Sequence, residues 1–285
     1  MKDTFFSSKL TFNCKGILHE FNEPIVMGIL NINDDSFYAG SRLANSESAI
    51  ASAEKMINDG ATIIDVGGYS SRPGADNIPI ETEIERISPV IRDINKRFPD
   101  VLISIDTFRS EVAKEAIKNG AHIINDISGG GIDSKIYTVA AENNCPYILM
   151  HMRGTPQNMV DQSNYKNLFK EVFLELSEKI ANAKAAGIND IIIDPGFGFS
   201  KTIDQNFELL QHLKSFAIFD RPLLVGISRK SMIYKTLQTT AEESLNGTTV
   251  LNTIALMNGA KILRVHDVKE AVEAVKLVFK GVIMD

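Results

Sequence analysis

Eight short apolar runs in this chain each end on, or just before, a polar residue: Asn31, Asp65, Asp106, Asn125, His151, Asp194, Ser228 and Arg264. Asn125 and Asp194 offer an amide and a carboxylate. A carboxylate accepts two parallel hydrogen bonds from a ring N–H and an adjacent exocyclic amine, and an amide matches a mixed donor-acceptor edge. Together they suit a flat, guanidine-like heterocycle. Lys230, Arg264 and His266 are cations or donors for carbonyl and phosphate oxygens. Asn31 and Asp35 carry hard oxygens of the kind Mg²⁺ uses beside a phosphorylated substrate. These residue types point to a heterocycle bearing phosphate or pyrophosphate, without naming the reaction. A lone Asp after a strand more often caps the following helix or turn. The case for a ligand site rests on eight polar ends converging on one rim.

The elements that must bring them together are legible as runs of buried, β-branched sequence. They lie at Ile25–Leu30, Thr62–Val66, Val101–Ile105, His122–Ile124, Tyr147–Met150, Ile191–Ile193, Leu223–Val225 and Lys261–Val265. Their near-continuous hydrophobicity predicts parallel strands buried on both faces. Helical stripes separate them: Ile84, Ile87, Ile91, Ile94 and Phe98, then Tyr165 through Ile180 with Gly187 as the stop, then Val268, Val272, Val275 and Phe279. Thr82 and Glu85 have the spacing of a capping box, with Pro89 predicting a kink or a later helix start. Leu10–Asn13 and Ile17–Phe21, around Cys14-Lys15-Gly16, predict a hairpin plugging the bottom of the barrel.

Eight strand–helix units in series predict an α/β fold, a (β/α)8 TIM barrel, as a single domain over residues 1–285. An open doubly wound sheet is the alternative, but it calls for a Gly-rich phosphate loop after the first strand, and none follows Leu30. In a TIM barrel the C-terminal strand ends form the active face.

Bulk properties narrow the partners. The chain has 285 residues, 44% of them hydrophobic, and a net charge of −6 with Lys and Arg dispersed. This argues against a nucleic-acid or anionic-membrane surface. Two cysteines, Cys14 and Cys145, in no metal-ligand spacing, predict a reducing compartment. The N-terminal segment lacks the apolar run of a signal peptide, and a cytoplasmic location is expected.

Several segments resemble the dihydropteroate synthase family, in that family's order and across nearly the whole chain. They are Met27-Gly28-Ile29-Leu30-Asn31, Asp65-Val66-Gly67-Gly68 with Ser71-Arg72-Pro73-Gly74-Ala75, Ser104-Ile105-Asp106-Thr107, and Asn125-Asp126-Ile127. Further along come Leu149-Met150-His151-Met152, Asp194-Pro195-Gly196-Phe197-Gly198-Phe199, Ser228-Arg229-Lys230-Ser231 and Arg264-Val265-His266-Asp267.

The resemblance implies an enzyme of folate biosynthesis, a transferase and sulfonamide target. In its reaction 4-aminobenzoate displaces pyrophosphate from 6-hydroxymethyl-7,8-dihydropterin diphosphate. It implies that Asp106, Asn125, Asp194 and Lys230 hold the pterin, with Met150 and Phe199 packed nearby. Asn31, Arg264 and His266 would bind the diphosphate, with Asn31 also at Mg²⁺. Ser71, Arg72, Pro73, Phe199, Lys230 and Ser231 would shape the aminobenzoate pocket. Asp35 joins Lys230, Arg264 and His266 in the expected catalytic set, while Asp65 and His151 are expected as supports. A homodimer is implied as well.

The first loop departs from the family pattern. It reads Asn33-Asp34-Asp35-Ser36-Phe37, where Thr-Pro usually precedes Asp-Ser-Phe, so a rigid residue is lost and a negative charge gained near the diphosphate. Tyr69 stands where an acid is common, and Ser71 where Thr is. Within the fold the alternative is a pterin-dependent methyltransferase, disfavoured by Ser71-Arg72-Pro73 and Ser228-Arg229-Lys230-Ser231. Outside catalysis the alternative is a pterin-binding paralogue without turnover.

Overall fold

The computed structural model describes residues 10–32, 42–70 and 77–282. Eight parallel strands form the barrel sheet: β3 (Ile25–Asn31), β4 (Ile63–Gly67), β5 (Leu102–Asp106), β6 (Ile123–Asp126), β7 (Tyr147–Met150), β8 (Ile191–Asp194), β9 (Leu224–Val225) and β10 (Ile262–Val265). Their order is β8-β7-β6-β5-β4-β3-β10-β9. An isolated parallel bridge between Ile193 and Leu223 joins the two sheet edges, where the Ile193 N–H also donates to the Pro222 carbonyl at 3.0 Å. The predicted strands appear within one or two residues of their expected limits.

Side-chain alternation along each strand explains how one barrel holds both a core and a site. Successive residues point to opposite faces. Val26, Ile64, Ile103, Ile124, Leu149, Ile193, Val225 and Leu263 pack outward against the helices. Their neighbours Met27, Ile63, Leu102, Ile123, Ile148, Ile192, Leu224 and Ile262 form a separate cluster at the bottom of the barrel. Phe12, Cys14 and Phe21 complete that cluster from below. They belong to, or directly follow, the antiparallel hairpin of β1 (Thr11–Cys14) and β2 (Ile17–Glu20). The hairpin is thus the predicted plug. Two or four residues further along the same interior face stand Asn31, Asp65, Asp106, Asn125, Met150, Asp194 and Arg264. The apolar-then-polar sequence of these interior faces, all but that of β7, is what separates the core from the site.

Nine helices among the described residues surround the sheet: α1 (Arg42–Asn58), α2 (Ile80–Arg97), α3 (Ser110–Lys118), α4 (Lys135–Glu142), α5 (Leu168–Ala185), α6 (Ile203–Gln211), α7 (Ser231–Tyr234), α8 (Leu245–Met257) and α9 (Val268–Val282). The stripe Ile87, Ile91 and Ile94 of α2 is fully buried. In α2 the expected capping box does not form. The helix begins at Ile80 behind Pro79, without a side-chain cap, and runs through Pro89. Pro79 presets the first turn, and Glu81 and Glu83 complement the positive helix end, so Thr82 already lies inside the helix. A capping box is present on α6 instead, between Thr202 and Gln205. No helix among the described residues is long and apolar enough to cross a membrane.

Candidate active site

Sheet register gathers the polar ends. Asn31 pairs with Gly67, Gly67 with Asp106, and Asp106 with Asn125, so three site residues lie in one row across β3 to β6. Asp65, one interior layer lower, is fully buried and accepts from Asn125 Nδ2 at 2.9 Å. From β10, the neighbour of β3 on its other edge, Arg264 donates through Nε to Asp65 Oδ2 at 2.7 Å and through Nη2 to Asp106 Oδ2 at 2.6 Å. Burial pushes the Asp106 carboxyl upward, with Arg264 opposing the rise and Asp65 adding to it. The same neighbours hold the Arg264 guanidinium firmly charged against its own burial. Arg264 therefore sits against two acids, Asp65 and Asp106, the second a member of the expected pterin cradle.

Asp194, paired in register with Met150, closes the next part of the rim. Its Oδ1 accepts from the Gly196 backbone N–H at 2.7 Å. Burial raises its carboxyl, opposed by Lys230 and that N–H. Lys230 donates to the Phe197 carbonyl, and its ammonium stands 4.6 Å from the centre of the Phe199 ring. Burial lowers Lys230 to about 8, and the nearby Asp194 opposes the fall. Gly198 makes this approach feasible, because a Cβ there would come within 2.9 Å of the Lys230 stem. Met150 and Phe199 belong to an apolar patch with Tyr69, Phe108, Ile127, Met152 and Met159. A flat ring held by the polar row would have this patch beside it.

On the β9–β10 side, the Ser228 hydroxyl accepts from the His266 backbone N–H at 3.2 Å and lies 3.1 Å from His266 Nδ1. Arg229 is bidentate on Asp267 at 2.7 and 2.8 Å. It also donates to the carbonyls of Ala241 and Glu242 at 3.0 and 2.7 Å. It fastens the segment that carries Lys230 and Ser231, the first residue of α7. Asn31 is exposed at the end of β3, with Oδ1 facing the bare Gly67. Among the described residues no group of three His, Cys, Asp or Glu side chains is arranged to hold a metal ion. Asp35, Ser71, Arg72 and Pro73 lie outside the described residues, as does the Asn33-Asp34 departure.

Two groups, Lys201 and Glu83, lie in no motif read from the sequence; His151, read there as a support, is a partner of the first. Lys201 lies beneath the Asp194–Phe199 turn and donates to the carbonyls of Gly196 and Phe199 at 3.0 and 3.1 Å. His151, fully buried, bonds Glu175 Oε2 at 3.0 Å, and burial lowers it to about 3. Glu83, buried inside α2, accepts from Thr107 and Arg109 at 2.8 Å each. Arg109 in turn stands 5.1 Å from the centre of the Tyr69 ring. A charged residue on an otherwise apolar helix face was the one available signal for Glu83. For Lys201 only its place just after Phe199-Ser200 pointed there.

Comparison with known proteins agrees with this geometry. Residues 27–266 match the family described as pterin binding enzyme. The dihydropteroate synthase of Escherichia coli K12 is 46% identical over 270 residues, covering 93% of this chain and 94% of the relative. That of Synechocystis is 43% identical over 255 residues, covering 88% of each. Among solved structures, Yersinia pestis dihydropteroate synthase in a sulfonamide drug complex superimposes with a TM-score of 0.90 at 39% identity, covering 96% of this chain and 100% of that one. The Xanthomonas albilineans enzyme with 4-aminobenzoic acid gives 0.88 at 35% identity, covering 97% and 99%.

Proposed function

The chain belongs to the dihydropteroate synthases, within the pterin binding enzyme family, and from that premise we propose how its rim carries the reaction. The transferase joins 6-hydroxymethyl-7,8-dihydropterin diphosphate to 4-aminobenzoate. The amine nitrogen forms a bond to the methylene carbon, the carbon–oxygen bond to diphosphate breaks, and the amine loses a proton. The observation that carries the assignment is the inward set of Asp106, Asn125, Asp194, Lys230 and Arg264 above an apolar barrel floor. Asp194 accepts the guanidine-like edge of the pterin. Asn125 meets the mixed edge beside it, with its own amide oriented by Asp65. Lys230 donates to a ring carbonyl or nitrogen. Pterin N–H donors approaching Asp106 and Asp194 replace the water lost by burial and favour both anions.

An aromatic amine is a poor nucleophile, so catalysis turns on departure of the leaving group. His266, and the Arg264 guanidinium where it leaves Asp106, neutralise charge developing on pyrophosphate. The electron-rich pterin stabilises positive charge at the methylene, so bond breaking runs ahead of attack. Absence of a secondary isotope effect at that carbon would count against this order.

Magnesium fits the donor set in one specific way. Asn31 supplies a single exposed amide oxygen, which suits a cation that takes most of its ligands from diphosphate and water. When bound there, Mg²⁺ supplies charge neutralisation to the leaving group; Asn31 would hold it, with Asp35 on the same loop. Ser231 and Phe199 border the aminobenzoate pocket, completed by Ser71, Arg72 and Pro73. A sulfonamide, which mimics 4-aminobenzoate, is expected to compete there.

The cytoplasm is the expected location and a homodimer the expected assembly. Support for the dimer comes from α8, where Val250, Ile254 and Met257 are exposed at helical spacing, and from α9, packed against it, where Leu277 is exposed. The deciding assay mixes purified protein with the pterin diphosphate, Mg²⁺ and 4-aminobenzoate, and measures both products. Dihydropteroate and pyrophosphate in equal amounts are expected. Pterin binding without either product would overturn the assignment in favour of a binding paralogue, and methyl transfer from methyltetrahydrofolate in favour of a methyltransferase.

A further inference from the structure

Beside the Asp194–Phe199 turn runs a chain of part-buried hydrogen bonds that the reaction above does not use. The Lys201 ammonium has three N–H donors and three partners: His151 Nδ1 at 2.9 Å, Gly196 O at 3.0 Å and Phe199 O at 3.1 Å. Burial lowers the Lys201 ammonium to about 7; while charged it has no acceptor to offer, so His151 Nδ1 presents its lone pair to it. The ring proton of the neutral imidazole is then on Nε2, donated to Glu175 Oε2 at 3.0 Å. Glu175 is fixed in turn by Arg153, whose guanidinium lies 4.0 Å from the centre of the Tyr165 ring and also bonds Glu171.

The chain ties two loops together. His151 directly follows β7 and Met150, while Gly196 and Phe199 belong to the turn after β8. That turn holds Asp194 through the Gly196 N–H and presents Phe199 to Lys230. The fit leaves no slack, since a Cβ on Gly196 would stand 1.9 Å from the His151 carbonyl oxygen.

We propose that Lys201 is a positioning residue for pterin recognition, acting as a three-point staple that sets the His151 tautomer and holds the Gly196–Phe199 turn so that Asp194 and Phe199 face the ring. It touches no substrate itself. The inference rests on the dihydropteroate synthase assignment for the identity of the ligand, but its own geometry is independent of turnover.

Two measurements test it. In the first, Lys201→Met and Lys201→Arg are compared with the unaltered protein by calorimetric titration of the pterin diphosphate with Mg²⁺, and by steady-state kinetics. Losing the staple in Lys201→Met should weaken pterin binding about tenfold or more, the scale of a lost positioning contact. KM for 4-aminobenzoate should rise less than the pterin affinity falls, because Phe199 is the one residue of that pocket on the stapled turn, and Lys201→Arg should recover part of the pterin affinity. Unchanged pterin binding, or an equal loss toward both substrates, would overturn the proposal. In the second, long-range ¹H–¹⁵N spectra of the unaltered protein report His151 directly. Below the Lys201 value of about 7, where the lysine is charged, the Nε2-protonated neutral ring is expected; an Nδ1-protonated ring or an imidazolium there would overturn it even if Lys201→Met fails to fold. Failure of the parent assignment reads out separately, as unaltered protein that makes no dihydropteroate.

Discussion

Arg264 reaches across the barrel interior to Asp65, its Nε 2.7 Å from Asp65 Oδ2. That oxygen also accepts the Asn125 amide, so one buried carboxylate orients both a cation and an amide of the pterin cradle. Breaking a buried pair by removing one partner typically costs ~3–5 kcal/mol, because the other charge stays desolvated. Arg264 retains Asp106, which places Asp65→Ala at the lower end, about 3 kcal/mol. Urea unfolding should show this as a lower midpoint at unchanged slope, together with weaker pterin binding. A stability loss below about 1 kcal/mol would mean that Asp106 alone satisfies Arg264.

Lys230 makes the pterin site sensitive to alkaline pH. Burial lowers its ammonium from 10.5 to about 8, so the cation that donates to the pterin is lost as pH rises through about 8. The kcat/KM for the pterin diphosphate should therefore fall by about tenfold per pH unit above that point. Stability moves in the opposite sense. Between about 8 and 10.5 the unfolded chain binds the proton and the folded chain does not, so this group makes folding more favourable as pH rises through that window. A pH profile of Lys230→Arg should be lower throughout, because a guanidinium fits the ammonium's place poorly, but flat where the parent falls. An unshifted alkaline limb in Lys230→Arg would assign the limb to another group.

The fold was legible because one signal was repeated in most strands. Their interior faces start apolar and turn polar two or four residues later, as in Ile63-Asp65, Ile123-Asn125, Ile192-Asp194 and Ile262-Arg264, while β7 stays apolar through Met150. Period-two alternation carries that pattern straight to the rim. Where a side chain reaches across the barrel, the pattern carries nothing. Arg264 was grouped with His266 for the diphosphate, yet its long side chain meets Asp65 and Asp106 from strands on the far side of β3. Lys201, likewise, is a buried cation whose partners come from two different loops. The start of α2 was missed because Thr82 and Glu85 have capping spacing, while Pro79 and the first-turn acids decide the boundary. The roles of Asp35, Ser71, Arg72 and Pro73 rest on the family resemblance and lie outside the described residues.

Two glycines of the same backbone type should respond differently to alanine. Gly196 and Gly259 both have positive φ, +76° and +97°, where an L-residue costs about 1–2 kcal/mol. Gly259 has nothing within 4 Å of an added Cβ, so Gly259→Ala should show that cost alone. Gly196→Ala adds a backbone clash against His151 and must shift the turn that holds Asp194 and Phe199. It should lose pterin binding as well as stability, while Gly259→Ala keeps its activity. Thermal unfolding paired with pterin titration separates the two, and equal effects in the two variants would refute a close-packed turn.

The exposed stripe on α8 predicts the oligomer. Val250, Ile254 and Met257 follow one another at i, i+4 and i+7, and Met257 remains 67% exposed. Leu277 of the adjoining α9 is 74% exposed. Single exposed apolar residues are ordinary, but three on one face of α8, with a fourth on the helix packed against it, are of the kind that partner chains cover. A two-fold dimer places the same patch against itself, so one charge introduced per chain enters the interface twice. Ile254→Glu would set two buried carboxylates near one another with no cation supplied to either, and Met257→Lys would do the same with ammonium groups. Sedimentation velocity at micromolar concentration should show the parent as a dimer and both variants as monomers. The pterin site lies at the strand ends, where none of these four side chains is found, so the monomeric variants should still bind the pterin diphosphate. A parent protein that sediments as a monomer, or variants that remain dimeric, would place any interface elsewhere.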